Sequence, residues 1–250
     1  MIRSPIVKVL STIRTHGVKA LLMGGQACVF YGAAEFSKDT DLCLLAEETN
    51  IARLRAALEK LEARQAYVPA LEMTALTRGH GVHFKCAHPE AKGIRLDLMS
   101  KMRGVDSFPA LWERRTVLED QAGNIYDLLG LNDLVLAKKT QRAKDWPMIA
   151  RLLESHYVEN AARPNEEQIR FWLREMRTPS YLIEVAQTYP ILAGGIEENR
   201  PLLQFALTNN PLPLGEALAE EERAERERDR AYWQPLRAEL EQMRRLPPHP

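Results

Sequence analysis

The chain has 250 residues, with 34 Lys+Arg against 34 Asp+Glu, 45% hydrophobic and 27% charged residues. A chain of this length buries well over half of the surface it exposes when unfolded, so it folds without disulfide or metal staples, and its composition is that of an ordinary globular protein. Neutral net charge and the lack of a polybasic tract exclude a dedicated duplex-binding protein, and no run of about 18 uncharged apolar residues reads as a membrane span.

Cys28, Cys43 and Cys86 are odd in number and widely spaced, with no C-x-x-C pair, and no leader pattern precedes them. That usage predicts a reducing cytoplasm and argues against a zinc site. All lysines lie in residues 1–150, which sum to roughly +4, against roughly −4 for 151–250, so the front half is biased toward a phosphate-bearing ligand.

Ser4-Pro5 reads as a cap and first-turn pair ahead of Ile6, Leu10 and Ile13 at helical spacing, with Gly17 as the stop. Residues 19–23 form an apolar run that enters a turn at Gly24-Gly25 and reads as a buried strand, followed by a short helix from Gln26 to Tyr31. Residues 40–45 are a second predicted strand. Ile51, Leu54, Leu58 and Leu61 mark a helix stripe after Thr49-Asn50. Val82, Phe84 and Cys86 alternate with polar residues, as do Ile94, Leu96 and Leu98, predicting two half-buried strands joined around 89–93.

From about residue 128 the pattern turns helical: 131–139, 146–153, 166–176, 181–188 and 202–207, with breaks at Pro164, Pro179, Pro190, Pro201 and Asn210-Pro211. Residues 216–229, dense in Glu and Arg, read as a solvated helix, and the terminal Pro-Pro-His-Pro is expected to fray. The expected fold is α/β (α+β), a small mixed sheet with flanking helices followed by a helical C-terminal region. The expected domains are 1–127, a catalytic domain; 128–215, a helical domain completing the site; and 216–250, a charged helix and tail.

Three segments carry the chemistry: Gly24-Gly25-Gln26; Phe36-Ser37-Lys38-Asp39-Thr40-Asp41; and Leu96-Asp97-Leu98. Asp39 and Asp41, two apart on a strand, share a face while Leu42 and Leu44 enter the core. Like charges side by side repel unless a cation sits between them, and Asp97 repeats the pattern between leucines on another strand. Three carboxylates on one sheet face suit Mg²⁺ or Mn²⁺ together with a nucleotide's phosphates. Gly24 and Gly25 let backbone N–H groups approach phosphate, with a helix N-terminus behind them. Each piece has a plainer reading: Gly-Gly as a tight turn, D-x-D as a solvated strand edge, and Arg95 as a partner for Asp97. His80 and His83 are predicted on opposite faces of a strand in surface or substrate-lining roles, and Trp146, Trp172 and Trp233 as helix packing.

In this order the segments resemble the polymerase-β-type nucleotidyltransferase superfamily, in particular its bacterial branch related to AbiEii abortive-infection proteins and MenT-like toxins. The resemblance covers about residues 18–155 and extends to Asp133-Leu134-Val135-Leu136-Ala137-Lys138 and Arg142-Ala143-Lys144-Asp145. It implies Asp39 and Asp41 as metal ligands and Asp97 as the third carboxylate, ligating and assisting deprotonation of the acceptor. It further implies Gly24, Gly25, Ser37, Lys138 and Lys144 at the nucleotide and Asp145 as a further catalytic residue. Glu35 stands where many relatives carry Arg, and Gln26 where many carry Ser. Lys139 adjoins Lys138, and either lysine can face the site. Asp145, two residues before Pro147, also reads as a helix N-cap.

The implied activity is a metal-dependent transfer of a nucleoside monophosphate from a nucleoside triphosphate, such as ATP, to an acceptor hydroxyl with release of pyrophosphate. The acceptor is a small molecule, an RNA end or a protein. The alternative is a toxin-like or regulatory module of a toxin-antitoxin type system, its catalysis weak or lost and its charged C-terminal helix bound to an antitoxin-like partner.

Overall fold

The computed structural model describes residues 4–34 and 36–245. Glu35 and the terminal Pro-Pro-His-Pro lie outside the described residues. The chain is mixed α/β, with a seven-stranded mixed sheet and a helical C-terminal region. It divides into two compact units, one made of Met1–Phe30, Ala34–Ala137 and Tyr232–Pro250, the other of Tyr31–Ala33 and Lys138–Ala231. The change of unit thus falls at Lys138, ten residues beyond the point where the sequence pattern turns helical.

In the first unit the elements are α1 (Ser4–Thr15), β1 (Ala20–Met23), α2 (Gly24–Phe30), β2 (Asp39–Leu44), α3 (Glu48–Lys60), β3 (Arg64–Gln65), α4 (Met73–Arg78), β4 (Val82–Lys85), β5 (Arg95–Met99), α5 (Phe108–Glu113), β6 (Thr116–Glu119), β7 (Ile125–Leu128) and α6 (Leu131–Lys138), whose last residue already belongs to the second unit. The strand order is β3-β4-β5-β2-β1-β7-β6. β1 runs antiparallel to β2 and parallel to β7, and β2 runs parallel to β5. β1 is buried at all four positions, as a central strand covered on both faces must be, which explains its unbroken apolar run.

On β2, Thr40, Leu42 and Leu44 are buried while Asp39 and Asp41 are half-exposed. Leu42 pairs with Leu22, and these two face Leu10 and Ile13 of α1 around a cavity of about 30 Å³. The apolar face of the sheet is therefore the one under α1, and side-chain alternation puts Asp39 and Asp41 on the other. Cys28, Cys43 and Cys86 are free and buried, and burial pushes the Cys43 thiol up to about 12 and that of Cys86 to about 11.

The predicted strands at 82–86 and 94–98 are the antiparallel pair β4 and β5. α3 begins at Glu48, earlier than the Thr49-Asn50 signal, and Asn50 does other work. Its buried amide accepts from the Lys19 N–H at 2.7 Å and donates to the carbonyls of Lys19 and Leu45 at 3.0 and 2.8 Å, tying α3 to the start of β1. The β6–β7 hairpin had no clear sequence signal. Its turn is organised by Asp120, which accepts from Tyr126 Oη, the Asn124 side chain and the N–H groups of Asn124 and Ala122. Those bonds hold its carboxyl down at about 2.

The second unit holds α7 (Trp146–Asn160), α8 (Glu166–Glu175), α9 (Pro179–Thr188), α10 (Pro190–Glu197), α11 (Leu203–Leu207) and most of α12 (Pro211–Arg245), whose residues from Tyr232 onward belong to the first. Pro179, Pro190 and Pro211 stand at the first position of helices, where a missing N–H costs nothing, so predicted breaks are starts. Trp146 and Trp172 are buried packing residues, and Trp172 Nε1 donates to His156 Nδ1 at 2.9 Å. Buried Arg200 donates to the carbonyls of Leu173 and Met176 and to Glu221, which also pairs with Arg177.

α12 is longer than the predicted 216–229 and less solvated. Glu221 is spent on Arg200 and Arg177, buried Asp229 accepts from the Gln141 N–H at 2.8 Å, and Glu239 pairs with Arg78 and His80. The remaining charges form surface pairs such as Arg223–Glu220 and Arg228–Glu225, each worth only tenths of a kcal/mol. No helix among the described residues is long and apolar enough to cross a membrane.

Candidate functional site

The carboxylate face is assembled by register. β2 and β5 are parallel with Asp41 opposite Asp97 and Asp39 opposite Arg95, and on β4 His83 stands opposite Asp97. Directly paired residues share a sheet face, so Asp39, Asp41, Asp97, Arg95 and His83 form one polar patch. Beneath it lie Leu96 and Leu98, both fully buried.

Arg95 is the hub. Its guanidinium reaches Asp97 Oδ2 at 2.8 Å and Asp39 Oδ2 at 3.0 Å, bridging two adjacent strands. The anticipated Arg95–Asp97 pair is present, and its extension to Asp39 supplies the cation that clustered carboxylates need. His83 Nδ1 lies 2.8 Å from Asp97 Oδ1, and since a carboxylate only accepts, that nitrogen carries the proton and donates. Burial pushes the Asp97 carboxyl up, but the hydrogen bonds from His83 and Arg95 outweigh it and hold it below its ordinary value.

The glycine turn is fitted to this patch. Gly24 follows β1 directly, with φ of 65°, and a Cβ there would sit 2.0 Å from Asp41 Oδ2. A Cβ on Gly25 would sit 2.5 Å from Ser37 Oγ. The backbone of Gly24-Gly25 thus lies against one site carboxylate and one hydroxyl, a closeness only glycine allows. Gln26 is buried and donates from Nε2 to the Ser37 carbonyl at 2.8 Å, fixing the 36–38 loop. Gln26 therefore works structurally, and the hydroxyl beside the turn comes from Ser37. α2 has only seven residues, so the turn offers close backbone rather than a long helix dipole.

Lys138, Lys144 and Asp145 belong to the second unit. Lys138 is buried, 3.2 Å from Asp145, and Lys139 pairs with Glu175 at 2.6 Å. Lys144 is exposed on the 3₁₀ turn Ala143–Asp145. The N-cap expectation for Asp145 is corrected: its backbone is already helical, at φ −79° and ψ −26°, and its side chain makes no cap bond. The carboxylate turns back to Lys138, to Thr140 Oγ1 at 2.6 Å and to Arg142 Nε at 2.8 Å. Desolvation raises its pKa, and the charge of Lys138, the Thr140 hydroxyl and Arg142 bring it below the ordinary value.

His80 is also corrected. It precedes β4 rather than lying on it, and it is buried with Nε2 2.9 Å from Glu239, away from any surface role. His83 was not foreseen as a neighbour of Asp97. Its place between buried Val82 and Phe84 was the available signal, since alternation alone turns it to the polar face.

Asp39, Asp41 and Asp97 are hard oxygen donors of the kind a divalent cation takes, from neighbouring positions of two strands, and two of them, Asp39 and Asp97, already share one positive group. Among the described residues no three His, Cys, Asp or Glu side chains stand as a ready metal-holding group. At this face Arg95 takes carboxylate oxygens instead. No protein-family model and no curated protein matches the chain.

Proposed function

We propose that the chain is a metal-dependent nucleotidyltransferase that moves a nucleoside monophosphate from a nucleoside triphosphate to an acceptor hydroxyl, releasing pyrophosphate. The observation that carries this reading is the in-register row of Asp41 and Asp97, with Asp39 two residues before and Gly24 packed against Asp41. That the α/β sheet is of the nucleotidyltransferase type belongs to the same proposal.

Asp39, Asp41 and Asp97 would hold Mg²⁺ or Mn²⁺, which when bound supplies positive charge to phosphate oxygens and lowers the pKa of a nearby hydroxyl. The chain's own residues do the positioning. His83 holds Asp97 by Oδ1 and so sets the plane of its carboxylate. Gly24 and Gly25 admit phosphate oxygens close to the backbone, with the Ser37 hydroxyl beside them. Lys138 and Asp145 satisfy each other, which supports a structural role for that pair and leaves the strand carboxylates to carry the chemistry.

In the reading in which α12 binds an antitoxin-like partner, Glu221, Asp229 and Glu239 are already engaged within the chain, which leaves only the surface charges of the helix for a partner. The test is incubation with each labelled nucleoside triphosphate and Mg²⁺ or Mn²⁺ against pooled RNA, lysate protein and small alcohols. Label should pass to one acceptor class with wild type and not with Asp39→Asn/Asp41→Asn. Transfer that persists in the double variant removes the site from this strand.

A further inference from the structure

The row next to the one shared by Asp41 and Asp97 has a different character. Asp39 pairs with Arg95 on β5, Arg95 with Lys85 on β4, and Lys85 with Arg64 on β3. Paired positions share a face, so three cations stand side by side on the face of the carboxylates, running from Asp39 to the sheet edge. All three are exposed. Arg95 is neutralised by Asp39 and Asp97, but among the described residues neither Lys85 nor Arg64 has an ion-pair partner.

Like charges directly opposite each other on neighbouring strands oppose folding. Charged side chains do guard sheet edges against pairing with other chains, but that duty requires charge only on the edge strand β3. Here the charge continues inward through β4 to β5, where no edge exists, and it ends at the carboxylates. Strands lie about 4.8 Å apart, so the row spans about 10 Å, the length of a short chain of phosphates. Tyr67, two residues beyond β3, is exposed with its ring edge-on to His83, the centroids 5.8 Å apart, and His83 stands two residues before Lys85 on β4, which puts aromatic rings in the row next to the cations. Cations along a groove with aromatic rings alongside are how phosphate chains with attached bases are held.

We propose that Arg64, Lys85 and Arg95 form a phosphate-binding row that delivers a chain of phosphate groups to the carboxylate patch. The ligand chemistry is a run of linked phosphates, whether the polyphosphate of a nucleotide or the phosphodiester backbone of an acceptor strand. The row deepens the nucleotidyltransferase reading by naming the side from which a phosphate ligand enters, yet its binding test stands apart from catalysis.

The test measures binding of a fluorescent single-stranded 12-nucleotide RNA by anisotropy and of inorganic tripolyphosphate by calorimetry, from 50 to 200 mM salt. The proteins are wild type, Lys85→Gln, Arg64→Gln, the double variant Arg64→Gln/Lys85→Gln, and Lys85→Arg. Lys85→Gln should weaken the bound probe about fivefold and flatten the plot of log affinity against log salt by about 0.7 for the RNA, while Lys85→Arg keeps wild-type affinity. Thermal melting should stay level or rise slightly in the double variant, because repulsion is relieved. Loss for the RNA assigns the row to an acceptor strand, and loss for tripolyphosphate alone assigns it to the nucleotide. Equal binding of both probes to wild type and the double variant, or no binding of either to wild type, overturns the proposal. Failure of the transfer assay with these binding results intact would remove the catalytic reading and leave the row in place.

Discussion

Replacing Gly24 by Ala tests the contact between the glycine turn and the site. Two costs follow from the structure. The backbone at φ 65° is left-handed, which costs a residue with a Cβ about 1–2 kcal/mol. The new Cβ would stand 2.0 Å from Asp41 Oδ2 and 2.5 Å from its Cγ, and relieving such an overlap costs about 1–3 kcal/mol more. A stiffer unfolded chain returns about 0.4–1 kcal/mol. The net expectation is a loss of about 3 kcal/mol, or about 6–12 °C in melting temperature for a chain of this size. Asp41→Gly removes the three atoms nearest the new Cβ, so in that background Gly24→Ala should cost only the backbone part less the same unfolded-chain return, about 1 kcal/mol. Urea titration of the four proteins closes the cycle. If Gly24→Ala is neutral, or costs as much without the Asp41 side chain as with it, the turn is not shaped by that carboxylate.

Asp39→Asn/Asp41→Asn should abolish the thermal stabilisation that Mn²⁺ with a triphosphate gives, about 2.7 kcal/mol at one hundred times the dissociation constant, read by scanning fluorimetry. In Asp39→Asn alone the apo melting should move by less than the equivalent of about 1 kcal/mol, because Asp39 gives up a partly exposed pair with Arg95. Asp145→Asn should cost about 3 kcal/mol in urea melts, since it strands Lys138 as a buried charge, and adding Lys138→Met should recover most of that loss; wild-type stability in Asp145→Asn would show that the pair carries no weight. Asp97 and Asp145 both have folded pKa values below the ordinary 3.8, so their contribution is complete above that pH and fades as pH falls through the folded values. Urea midpoints should therefore hold from pH 6 to about 4 and drop below it, less steeply in Asp97→Asn, whereas a decline centred near pH 6 would point to histidine instead.

Much of the fold was legible in local patterns. Strong signals came from alternation at 82–86 and 94–98, the helical stripe of Ile6, Leu10 and Ile13, and the unbroken apolar run before Gly24-Gly25, because each reports burial of one face or both by its own period. Shorter elements were not legible. β3 has two residues and no hydrophobic pattern, and the β6–β7 hairpin is held by the side chain of Asp120 rather than by a familiar two-residue turn. Prolines at 179 and 190 were legible as punctuation but not as starts, since a missing N–H is equally at home just after one helix and at the first position of the next.

At the site, sequence alone determined which residues face away from the core: alternation within a strand needs no partner, and it put Asp39 with Asp41 and set Asp97 between buried leucines. Which strand lies beside which is a long-range choice made by packing, and only the tertiary structure decided it. Register brought Asp97 opposite Asp41, turned His83 into a donor to Asp97, made Arg95 the bridge to Asp39 and lined Lys85 and Arg64 up behind it. The same limit applies to Asp145, whose N-cap pattern is local, whereas buried Lys138 as its partner is not. Its carboxylate follows that charge because an unpaired ammonium in the interior costs several kcal/mol, more than the roughly 1 kcal/mol that a helix cap is worth.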